Sequence, residues 1–87
     1  MVEEKERSVV VQCETRRECG LTVKYELRYE QGVYSLLCIA FDRDGCCGFD
    51  YIFDVAERGD SAEEILRIIA DNFVTPISLR EVLEDLL

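Results

Sequence analysis

Eighty-seven residues, 48% of them hydrophobic and 33% charged, are too few for two domains and too apolar for a disordered chain. The net charge of -9 repels phosphate backbones, which argues against nucleic-acid binding. No apolar run approaches the ~20 residues that cross a bilayer, so no membrane association is expected. Met1 to Arg7 is charged with no apolar stretch behind it, unlike a secretory leader.

These exclusions predict one domain over residues 1–87, with 1–7 frayed, in the cytoplasm. In that reducing compartment the five cysteines are free thiols. A chain this short buries only about 60% of its unfolded surface, so each large apolar residue weighs heavily.

Ser8 to Glu14 is short and β-branched and reads as a first strand, with Val9, Val11 and Cys13 inward and Ser8, Gln12 and Glu14 outward. Thr15 to Gly20 is polar, ends in glycine and reads as a turn. The second strand alternates cleanly. Leu21, Val23, Tyr25, Leu27 and Tyr29 take one face, while Thr22, Lys24, Glu26, Arg28 and Glu30 take the other.

Gln31-Gly32 suits a two-residue hairpin turn. Such a turn sets Glu30 opposite Val33, Tyr29 opposite Tyr34, Leu27 opposite Leu36 and Tyr25 opposite Cys38. The third strand, Val33 to Phe41, is apolar on both faces. Its core side holds Tyr34, Leu36, Cys38 and Ala40, and its far side Ser35, Leu37, Ile39 and Phe41.

Asp42 to Gly48 reads as a loop, and Phe49 to Val55 as a fourth strand with Phe49, Tyr51, Phe53 and Val55 on the core face. Setting Asp42 opposite Phe49 leaves Ile52 beside Ile39 on the far face. Ser61…Glu64 and Ser78…Glu81 are capping-box spacings that begin two helices. Ala62, Ile65, Leu66, Ile69 and Phe73 stripe the first helix, which Thr75-Pro76 ends. Leu79, Val82, Leu83, Leu86 and Leu87 stripe the second. The expectation is an α+β domain: a four-stranded antiparallel meander sheet with two C-terminal helices packed on one face.

The run from Asp54-Val55 through Thr75-Pro76 to Arg80-Glu81-Val82-Leu83-Glu84-Asp85-Leu86-Leu87 resembles a small uncharacterised domain family of Firmicutes. Tyr34-Ser35-Leu36 is similar to a strand of that family. Glu81-Val82 stands where the family tends to have Asp-Val, and Cys46-Cys47 has no counterpart there. The resemblance implies the element boundaries of the C-terminal half and no activity, cofactor or partner.

Chemistry has few candidates. There is no histidine to serve as a base for a catalytic thiol. Asp42-x-Asp44-Gly45 lacks the later ligands of a calcium loop. No catalytic residue and no cofactor is therefore expected. The far sheet face is the remaining feature. Leu37, Ile39, Phe41 and Ile52 form an apolar centre inside a charged rim that includes Lys24 and Arg28, the usual make-up of a protein contact. The expected function is a non-enzymatic interaction module, binding a protein partner or self-associating as a homodimer. The alternative is a zinc-binding or redox-sensing protein using Cys13, Cys19, Cys46 and Cys47. The C-x5-C spacing and a vicinal pair are not the usual knuckles of such sites.

Overall fold

Two tight turns set the order of the sheet. A computed structural model describes residues 8–87, so the expected fraying of 1–7 lies outside the described residues. Cys19 and Gly20 have φ of 51° and 82°, and Gln31 and Gly32 have φ of 54° and 81°. Positive φ at both central residues gives the hairpin turn whose twist matches its flanking strands. The first turn joins β1 (Val9–Glu18) to β2 (Leu21–Glu30), and the second joins β2 to β3 (Val33–Asp42).

With β4 (Gly45–Ala56) the strands form one antiparallel sheet in the order β1-β2-β3-β4. Then come α1 (Gly59–Asp71), a 3-10 turn at Pro76–Ser78, and α2 (Leu79–Leu86). The α+β meander is the expected fold. Among the described residues, no helix is long and apolar enough to cross a membrane.

The β2–β3 register is also the expected one, from Glu30 opposite Val33 to Tyr25 opposite Cys38. It puts Val23, Tyr25, Leu27, Leu36 and Cys38 on one face, all fully buried. Ala62, Leu66 and Ile69 of α1 and Leu79 of α2 close over them. Each buried Leu or Ile stabilises the fold by about 1.5–3 kcal/mol.

Helix α1 touches all four strands, whereas α2 and the 3-10 turn lie toward β4. Helix α1 stops at Asp71, before the expected Thr75, because Phe73 turns left-handed at φ 49°. The Phe73 and Val74 N–H groups then donate back to the carbonyls of Ala70 and Ile69, a reversal that satisfies the last turn. The reversal aims Val74 into the sheet. There its carbonyl accepts the Tyr25 hydroxyl at 2.7 Å and, more weakly, the Cys38 thiol at 3.8 Å.

The two serine capping boxes do not form. Helix α1 begins two residues before Ser61, with Asp60 in its first turn and no side-chain cap at Arg58. The Asp60 carboxylate accepts the Ser61 N–H at 2.8 Å and pairs with Arg58 at 2.7 Å. Arg58 holds this carboxyl below the usual aspartate range. Ser78 precedes α2 without a side-chain cap.

The edge strands depart further from expectation. Strand β1 continues to Glu18 instead of turning at Thr15. Its register shifts between Val10 and Gln12, leaving Val11 as an extra residue. One extra residue exchanges the faces of everything after it. Gln12, Glu14 and Arg16 therefore lie opposite Leu27, Tyr25 and Val23 on the helix side. Val9, Val11 and Cys13, expected inward, are all exposed. The polar inner row is stable at this margin because Arg16 bonds Glu14 at 2.9 Å and Asp71 of α1 at 3.0 Å.

Replacing Tyr25 by Phe removes the strong donor to the buried Val74 carbonyl and leaves only the thiol. The expected loss of stability is about 1–3 kcal/mol. In a domain of this size that lowers the melting temperature by about 4–8 °C per kcal/mol. Thermal denaturation followed by circular dichroism measures it, and an unchanged melting temperature contradicts the assignment.

Candidate interface on the helix-free face

The face is built from alternate residues of a sheet whose other side is used up. On β3, Leu36, Cys38 and Ala40 enter the core, so Leu37, Ile39 and Phe41 point away from the helices and remain half-buried. Lys24, Glu26 and Arg28 of β2 lie opposite Ile39, Leu37 and Ser35. These side chains are where the sequence places them.

Strand β4 is not. Asp42 pairs with Gly45 across a two-residue turn, not with Phe49. The Asp42 carboxylate closes this turn by accepting the Asp44 N–H at 2.8 Å, and Gly45 takes φ 118°. Cys46 and Cys47 therefore belong to the strand, and Cys47 is an extra residue between the pairs Phe41–Cys46 and Ala40–Gly48.

Beyond it Ile39 faces Phe49, Leu37 faces Tyr51 and Leu36 faces Ile52. This differs from the expected register by an odd number of residues, so residues 49–52 are turned over, whereas Val55, past a second irregularity, is buried in the core as expected. Ile52, expected on the far face beside Ile39, lies on the helix side. It lines an open cleft of about 360 Å³ with Arg80, Leu83 and Leu87. Asp50 faces the same way and pairs with Arg80 of α2 at 3.1 Å.

In place of Ile52 the far face gains Phe49 and Tyr51. Phe49 is 67% exposed, and Phe53, which follows Ile52, is 47% exposed. The alternation Phe49, Tyr51, Phe53 is plain in the sequence. Which side it takes depends on the extra residue Cys47.

A second irregularity follows. Ala56 pairs with Tyr34 four residues after Ile52 pairs with Leu36, so β4 carries two extra residues. Asp54 absorbs the bend at φ 63°, and its N–H donates to the hydroxyl of Ser35, a fully buried polar residue, at 3.1 Å.

The polar half of the face is internally paired. Glu26 accepts from Arg28 at 2.7 Å and forms an ion pair with Lys24 at 3.4 Å. The Arg28 Nε donates to Ser8 at 2.8 Å, and the Arg17 Nε to Thr22 at 3.1 Å. The result is two halves side by side: an aromatic and aliphatic surface on β3–β4, and a row of alternating charge on β2.

The four candidate zinc thiols are not brought together. Cys13 lies on β1, opposite Glu26, and Cys46 and Cys47 lie on β4. These are the two edges of the sheet, three inter-strand steps or roughly 14 Å apart. A zinc–sulfur bond is ~2.3 Å long. Among the described residues, no cluster of three or more His, Cys, Asp or Glu is placed to hold a metal.

Cys38 is the expected core residue. Burial first, and the charge of Asp50 second, push its thiol up to about 12. Burial likewise raises the Tyr25 hydroxyl, with the neighbouring Cys38 adding to the effect.

No family model, curated protein or solved structure matches the chain. The likeness of its C-terminal half to a Firmicutes family therefore rests on the residues alone.

Two outcomes follow for the thiols. In the native protein a disulfide reagent should modify Cys13, Cys19, Cys46 and Cys47 rapidly, all four being exposed, and Cys38 only after unfolding. Five equal rates contradict the packing. Because the folded protein keeps the Cys38 proton to about 12 and the unfolded chain releases it near 9, unfolding releases a proton in that window. Stability should therefore fall as pH rises above 9, with Tyr25 acting in the same direction above 10. Denaturant midpoints between pH 8 and 10.5 measure this, and Cys38→Ala should flatten the first part of the decline.

Proposed function

We propose that this protein is a non-enzymatic docking module that binds protein through its helix-free sheet face. The observation that carries the reading is the 67% exposure of Phe49 beside the half-buried Leu37, Ile39, Phe41 and Tyr51, with Phe53 of the same strand 47% exposed. Single exposed apolar side chains are ordinary. A contiguous aromatic patch bordered by charge is the usual composition of a contact surface. Large rigid aromatics at such a centre give most of the binding energy for little conformational entropy.

Binding without chemistry accounts for the rest of the chain. It has no histidine, and its one strongly perturbed thiol, Cys38, is protonated and sealed in the core. A reducing, cytoplasmic setting suits five free thiols.

The test separates residues kept for contact from residues kept for folding. Phe49→Ser combined with Phe53→Ser should change unfolding stability by no more than about 0.5 kcal/mol, as for exposed positions generally. The comparison is made by denaturant titration of dilute protein. A loss above about 2 kcal/mol, the range for emptied core sites, shows that the two rings stabilise their own chain and removes the docking reading.

A further inference from the structure

Charge and area together select the occupant of this face. The outward row of β2 reads Lys24, Glu26, Arg28, Glu30, with alternating sign. Turn a second copy over, about an axis crossing the strands at the level of Leu27. Lys24 then meets Glu30 of the second copy, and Glu26 meets Arg28. The row is complementary to its own reverse.

The same axis treats the apolar half alike. Leu27 lies opposite Leu36, and Leu36 opposite Ile52, so the axis crosses β3 and β4 near their outward apolar residues. Strand β3 then lies over β3 and β4 over β4, with Leu37 and Tyr51 beside the axis.

The remaining charge lies mostly on the other side of the molecule. From Glu57 onward the chain has eight acids and three bases, nearly all of them in the helical layer. On the helix-free face Arg17, Lys24 and Arg28 outnumber Glu26 and Glu30. Face-to-face packing keeps the two acidic layers on opposite outer sides, with both sheets between them. Stacking sheet on helix would instead press Phe49 against an acidic layer.

The area is sufficient. Strands of ten residues at ~3.3 Å each, four abreast at ~4.8 Å, cover roughly 600 Å² per copy, or ~1,200 Å² for the pair. Stable interfaces begin near ~1,000 Å².

We infer that the helix-free face binds a second copy of this chain, forming a two-fold sandwich of two sheets in which the aromatic halves overlie and the β2 charge rows pair in reverse. This rests on the docking reading and specifies its partner.

Sedimentation equilibrium of the full chain from micromolar to submillimolar concentration tests it. The mass should rise to twice that of one chain. Phe49→Glu, or Phe49→Ser if the first fails to fold, should abolish the rise. Leu86→Glu, on the helical layer, should leave it unchanged. Glu26→Lys should weaken association about tenfold by opposing Arg28 of the second copy. Adding Arg28→Glu to it should restore association to within about threefold, because the exchanged signs pair again.

A monomer at every concentration overturns the inference. So does a dimer indifferent to Phe49→Glu, or a double exchange that restores nothing. A monomer whose Phe49→Ser, Phe53→Ser form is as stable as its parent removes the self-pairing and leaves docking to another protein. Loss of stability in that form removes both.

Discussion

The hydrogen bond from the Tyr25 hydroxyl to the Val74 carbonyl is the constraint on which the two-sided architecture rests. Tyr25 is fully buried at the centre of β2, and Val74 follows the reversal that ends α1. A carbonyl just past a helix end has no partner in its own helix and cannot be buried for nothing. Tyr25 supplies the partner from the sheet, with Cys38 as a second, weaker donor. The link holds the start of the C-terminal segment over β2 and β3, from which Pro76 and α2 run out along β4. Both helices are thereby committed to one side, and the other side is left to whatever Leu37, Ile39, Phe41, Phe49 and Tyr51 can bind.

The centre of the sheet was legible because its signals are local and agree. Strand β2 alternates without exception, Gln31-Gly32 is a short turn, and a turn of known length leaves one register for β3. The four β3-centred pairings expected from the sequence are present. Of the six residues expected at the interface, Leu37, Ile39, Phe41, Lys24 and Arg28 lie on the helix-free face, and Ile52 does not.

What failed did so at single extra residues. Val11 and Cys47 each reverse the faces of their strands, and nothing in their chemistry marks them as unpaired. On β4 the hydrophobic pattern was itself misleading. Phe49, Tyr51 and Phe53 look like a core row beside Asp50 and Asp54. The inner row nevertheless holds Asp50, because Arg80 of α2 reaches it. A carboxylate can face a helical layer when that layer brings a guanidinium, and this depends on residues thirty positions along the chain. The start of α1 failed for a simpler reason, while α2 begins directly after Ser78 as expected. Asp60, one residue before the Ser61 of the anticipated box, is as good an acceptor for the first turn.

The extra residues at Val11 and Cys47 have a consequence for growth. They sit on β1 and β4, the two strands with an unpaired margin. A bulge breaks the regular spacing of N–H and C=O groups and twists the margin out of plane, which disfavours a further strand pairing along it. Three consecutive valines on an open margin would otherwise invite fibre formation. With both margins blunted, growth of the sheet by strand addition is disfavoured at either edge. The irregularities that hid the pattern of this chain also blunt both of its open margins.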